Sequence, residues 1–117
     1  MSIRRFGVGP RMSQAVVHGE TVYLAGQVAA QAAGKSVTEQ TREILAAIDK
    51  LLAEVGTDKT RLLSTTIYLA DMATFAEMNA VWETWVAPGA TPARATVEAK
   101  LAAPSYTVEI VCIAAKS

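Results

Sequence analysis

The sequence predicts one α+β domain, a β-sheet with two helices packed on one of its faces. Three observations lead there. Two stretches repeat apolar residues at helical spacing, the stretches around them are rich in β-branched and aromatic residues, and turn-forming residues separate them. At 117 residues the chain has the size of a single domain, 1–117, and with 51% hydrophobic residues it can bury a core.

The elements follow in order. Val16-Val17 and Thr21-Val22-Tyr23-Leu24 read as a hairpin within Ser13 to Val28, with the turn at His18-Gly19-Glu20. After a loop around Gly34, Ser36 and Glu39 have the spacing of a capping box. Ile44, Leu45, Ile48, Leu51, Leu52 and Val55 then recur at helical spacing, with Glu43, Asp49, Lys50 and Glu54 largely on the other face. Gly56 is a natural stop. Leu62 to Leu69 reads as a strand. Thr74 and Glu77 repeat the capping-box spacing before a second apolar stripe of Phe75, Met78, Trp82 and Trp85, ended by Pro88 and Gly89. Arg94 to Leu101 and Tyr106 to Ala114 are the last strands, joined by Ala102-Ala103-Pro104-Ser105.

The last strand is apolar on both faces. Val108, Ile110, Cys112 and Ala114 alternate with Val111 and Ile113. Two helices cover only one face, so the chain is expected to form a homo-oligomer that packs sheet against sheet. The alternative is a central strand flanked by loops.

Composition narrows the function. Lys plus Arg number 11, as do Asp plus Glu, for a formal net charge of zero. That balance argues against a nucleic-acid partner. The single Cys112 forms no internal disulfide, and a reducing cytoplasm is the expected compartment. Residues 1–14 lack the apolar stretch of a secretory leader, and no apolar run is long enough to span a membrane. With one His and one Cys, a zinc site of the usual kind is not expected.

Several residues stand out. Glu109 shares a strand face with Val111 and Ile113, where a carboxylate is costly unless paired. It is a candidate general acid or base, or else an ion-paired strand residue at a rim. Arg94, just after Pro92, can present its planar fork to a carboxylate, or form a surface salt bridge. Gly26 interrupts a good strand, the mark of a bulge or of a close approach to a ligand. Asn79 lies on one helical face with Phe75, Trp82 and Val86, where its amide either holds a loop or faces a pocket. His18 reads as a solvated turn residue and Cys112 as packing. Gly7 and Gly9 make no nucleotide-binding fingerprint, having no strand before them and no helix after.

Taken together, four stretches resemble the RidA/YjgF family. They are Gly9-Pro10 through Ser13-Gln14-Ala15-Val16, then Leu24-Ala25-Gly26-Gln27-Val28, then Phe75 to Asn79, and finally Pro92-Ala93-Arg94-Ala95-Thr96-Val97 followed by Val108-Glu109-Ile110. The resemblance covers nearly the whole chain. It implies a chorismate-mutase-like fold and a homotrimer whose sheets face inward as an inter-subunit barrel, with active sites between subunits. It implies hydrolysis of reactive 2-imino and enamine acids to 2-oxo acids and ammonia, without metal or organic cofactor. Arg94 matches the family's carboxylate-binding arginine, Glu109 the acid that positions water, Gly26 a backbone ligand site and Asn79 a pocket-side asparagine. Thr96 stands where relatives often carry cysteine, and its backbone is expected to help hold substrate. Met12 is a departure: deaminases of the family have a tyrosine there, and Met donates no hydrogen bond. Arg11 beside it is a candidate for a second acidic group. The alternative function is a non-catalytic, small-carboxylate-binding or regulatory module on the same fold.

Overall fold

Ala15–His18 (β2) and Thr21–Leu24 (β3) form the expected hairpin, with His18 opposite Thr21 and a two-residue turn at Gly19-Glu20. Gly19 has φ +62°, the left-handed conformation such a turn needs. The structure is a computed structural model and describes residues 2–116. One strand was not expected. Ile3–Phe6 (β1) pairs antiparallel with β2 at the sheet edge, placing Phe6 against the core while Arg4 and Arg5 stay exposed.

Val37–Glu54 (α1) starts where Ser36 accepts a hydrogen bond from Glu39 N at 3.1 Å. It ends at Gly56, φ +86°, where Gly56 N donates to Ala53 O and Thr57 N to Leu52 O. That is a Schellman ending, and it requires the left-handed glycine. Leu62–Leu69 (β4) follows the expected bounds. Phe75–Trp85 (α2) begins differently from expectation. A 3-10 turn over Met72–Thr74, capped by Asp71 accepting from Ala73 N, leads directly into it. Thr74 has φ −89° and ψ 7°, not the extended conformation of a capping residue, and its hydroxyl donates to Asp71 O. Glu77 is thereby free to reach α1, where Oε2 accepts from Thr38 N and Thr38 Oγ1 at 2.9 Å each. The second capping box is absent, and an acidic side chain from α2 caps the start of α1 instead. Ala93–Glu98 (β5) stops three residues short of the expected Leu101, and Val108–Ala115 (β6) begins two residues late.

The sheet order is β1-β2-β3-β6-β4-β5. β3 and β4 both run antiparallel to β6, which lies between them, and β4 and β5 are parallel. Both helices are therefore crossovers between parallel strands, stepping in the same direction across the sheet. Right-handed crossovers of that kind put both helices on one face. Ile44, Ile48 and Leu52 from α1 and Met78 from α2 are fully buried with Ile67, Leu69, Val108 and Ile110 of the sheet.

The opposite face has no cover among the described residues. Val111 and Ile113 of β6 are half-buried there, while Tyr23 is 47% and Val97 41% exposed. Register puts these residues on one side, since Tyr23 pairs with Ile113, and Tyr68 with both Glu109 and Val97. The α+β class with two helices on a single face is as the sequence predicts. No helix among the described residues is long and apolar enough to cross a membrane.

Candidate functional site

Arg94 lies on β5, an edge strand, two residues after Pro92. It pairs with Thr65, which pairs with the buried Cys112, so its side chain lies on the helix-covered face. There Nη1 donates to Asn79 Oδ1 at 2.7 Å. The guanidinium carbon lies 5.7 Å from the Phe75 ring centroid and 5.5 Å from that of Trp82. Both are within the range in which a cation is drawn to an aromatic face. The face that the sequence assigned to Phe75, Asn79 and Trp82 is thus the one that meets Arg94. Thr96, two residues further on the same side of β5, has a buried hydroxyl without a hydrogen-bond partner among the described residues.

Glu109 belongs to the other face. It sits three residues from Cys112 on β6, and side chains alternate along a strand. Half-buried beside Tyr68, it lines an open depression with Lys100, Leu101 and Val111. Its carboxylate lies against Gly26. A Cβ at position 26 would run into Oε2 and lie 3.0 Å from the carboxyl carbon. The glycine in the strand pattern therefore marks a close approach. The segment carrying it continues past β3, where Gln27 N donates to Ile110 O at 2.9 Å and Ile110 N to Gln27 O at 3.1 Å.

Met12 joins this second group through the loop before β2. Ala25 N donates to Gln14 O at 2.9 Å, and Gln27 Nε2 donates to Gln14 Oε1 at 3.1 Å. The loop forms a shallow depression lined by Arg11, Met12 and Gln14, with Met12 55% exposed. Two separate candidate half-sites result: Arg94, Asn79 and Thr96 at the β5 edge on the helix side, and Glu109 with Gly26 on the other side, the Met12 loop being tied to the Gly26 segment through Gln14. A single chain does not bring them together.

Cys112 is 1% exposed, its Sγ 3.4 Å from Thr65 Oγ1. Burial pushes its thiol up to about 11, against the opposing pull of the Thr65 hydrogen bond, so it stays protonated near neutrality, as a packing residue should. His18 is exposed at the hairpin turn. Among the described residues no group of three or more His, Cys, Asp or Glu is placed to hold a metal ion. Sequence reading missed the stacking of Phe75 and Trp82 on Arg94, and the place of Tyr68 and Lys100 beside Glu109. For the first pair a signal existed, because the Phe75-Asn79-Trp82 stripe needed a polar partner.

Fold and strand register define a helix-on-sheet α+β domain with one uncovered sheet face. Residues 4–116 match the family model described as endoribonuclease L-PSP, and the chain belongs to this family, the YjgF/RidA family. A solved member of the YjgF family from Neisseria meningitidis superposes with a TM-score of 0.97 at 50% identity, over 100% of this chain and 97% of that one. A RutC family protein of Haemophilus influenzae is 46% identical over 97% of this chain and 98% of its own length. A mouse protein named 2-iminobutanoate/2-iminopropanoate deaminase is 33% identical, covering 92% of this chain and 82% of that protein.

Proposed function

We propose that the chain is a hydrolytic deaminase that converts reactive 2-imino and enamine acids to 2-oxo acids and ammonia. The observation that carries this reading is the held guanidinium of Arg94 at an open sheet edge, hydrogen-bonded to Asn79 with further N–H groups left for a carboxylate. The deaminase name of the mouse relative supports it, whereas the more similar Haemophilus relative is named only for its family.

In this reading Arg94 clamps the carboxylate next to the electrophilic C=N carbon and fixes its orientation. Glu109 aligns a water and accepts its proton as oxygen bonds to that carbon. The C–N bond then breaks as the added hydroxyl becomes the carbonyl, and both protons of the water leave on the nitrogen as ammonia, the first relayed by Glu109. The Gly26 backbone lines the same side, and Thr96 and Asn79 complete the carboxylate side. No metal or organic cofactor is assigned a step. Because Arg94 and Glu109 lie on opposite faces, the working site takes Arg94 from one copy and Glu109 from another. A homotrimer burying Tyr23, Val97, Val111 and Ile113 in a central barrel provides that arrangement, in the cytoplasm.

A second reading, a small-carboxylate-binding module without turnover, draws support from Met12, which offers no hydrogen-bond donor at the pocket rim. An RNA-cleaving reading draws less, because the formal charge is zero and the lone histidine, His18, sits at an exposed turn. The test couples an amino-acid oxidase to semicarbazide trapping of the imine it releases. Wild type is expected to suppress semicarbazone and Arg94→Ala to leave it unchanged. Pyruvate binding with no suppression on any imine would favour the binding module.

A further inference from the structure

Phe75, Asn79 and Trp82 occupy positions i, i+4 and i+7 of α2, along one side of the helix. Arg94 crosses that line at Asn79, with an aromatic ring about one helical turn to either side. Trp82 is 5% exposed, and Phe75 is 37% exposed at the rim. Trp82 is itself backed. Its ring centroid lies 5.4 Å from that of Trp85 at 47°. Trp85 Nε1 donates to Asp49 Oδ2 at 2.9 Å, and the Lys59 ammonium lies 5.0 Å over the Trp85 ring while donating to its backbone oxygen. A continuous column of side chains thus runs from α1 through two indoles to the Arg94 guanidinium.

This matters because an arginine side chain has several rotatable bonds and, left free at a sheet edge, points in many directions. One hydrogen bond to Asn79 fixes a distance but leaves rotation about that bond. Ring faces on two sides remove that rotation. We infer that Phe75 and Trp82 are positioning residues, which hold the Arg94 guanidinium against Asn79 so that its remaining N–H groups meet an incoming carboxylate in one orientation. The inference rests on the carboxylate-binding role proposed above for Arg94.

Phe75 is the better handle, because at the rim its replacement leaves the core intact. The experiment compares wild type, Phe75→Leu, Phe75→Tyr, Trp82→Phe and Arg94→Ala as full chains. Pyruvate is titrated by calorimetry, and the Arg94 Nε–H resonance is followed by NMR. Phe75→Leu is expected to weaken pyruvate binding about two- to five-fold, the range of one exposed cation–π contact. It should also move the Arg94 Nε–H signal as the ring current is lost, and raise KM with kcat little changed. Phe75→Tyr and Trp82→Phe, which keep a ring, should remain close to wild type in binding. Phe75→Leu binding pyruvate as wild type does, while Arg94→Ala loses it, would overturn the positioning role and leave the Arg94 reading standing. If Arg94→Ala itself binds pyruvate like wild type, both fall.

Discussion

The Glu109 carboxylate lies against Gly26 so closely that any Cβ at that position would collide with it. The obstructed atom is the far end of a flexible side chain, not backbone, so the collision is relieved by moving Glu109. Gly26→Ala should therefore keep its circular dichroism and melt within a few degrees of wild type, yet turn over imines at least ten-fold more slowly. Unchanged turnover would separate Glu109 from the chemistry.

Asn79 gives Arg94 its single side-chain hydrogen bond among the described residues, at 2.7 Å. Asn79→Ala should cost about 1.5–3 kcal/mol in urea unfolding, the usual range for a bond to a charged group. Pyruvate binding should weaken at the same time. A stability loss with binding intact would reduce Asn79 to a structural contact.

Glu77 joins the two helices by accepting from the backbone N–H and hydroxyl of Thr38. Glu77→Ala should lower stability by roughly 0.5–1 kcal/mol, as loss of an exposed helix cap does. Because Glu77 leaves α2 on the side opposite the Phe75-Asn79-Trp82 face that meets Arg94, imine turnover should change little. Denaturant midpoints and the semicarbazone assay read the two effects separately.

The Cys112 thiol is raised by burial from 9.0 to about 11. Between those values the unfolded chain releases a proton that the folded chain retains. The resulting stabilisation is complete below pH 9.0 and is lost as pH rises from there towards about 11. Cys112→Ala should flatten this alkaline decline in the melting temperature. A steep decline that survives the substitution would place its origin elsewhere.

Much of the fold was legible because several signals were local. Ser36 and Gly56 bracket α1 as their types suggest, and Leu62 to Leu69 reads as a strand by its β-branched and aromatic content. Signals that depend on distant partners were less legible. The Ile3–Phe6 strand carries two arginines, which blunt an edge but hide its alternation. Thr74 and Glu77 have the spacing of a cap, but a preceding 3-10 turn sends Glu77 to the other helix. The candidate site was legible residue by residue and not as an arrangement within one chain. Arg94 and Glu109 stood out by type, but only the register through Thr65 and Cys112 puts them on opposite faces.

That opposition makes subunit complementation the most direct test of the account. Arg94→Ala and Glu109→Gln are each expected to be inactive alone. Unfolded together in equal amounts and refolded, they should regain activity, because a head-to-tail ring pairs the intact Arg94 of one copy with the intact Glu109 of the next in about one quarter of the sites. Recovery near that fraction of wild-type turnover is the predicted result. A refolded mixture that assembles as wild type does and yet stays inactive would contradict a site built from two copies.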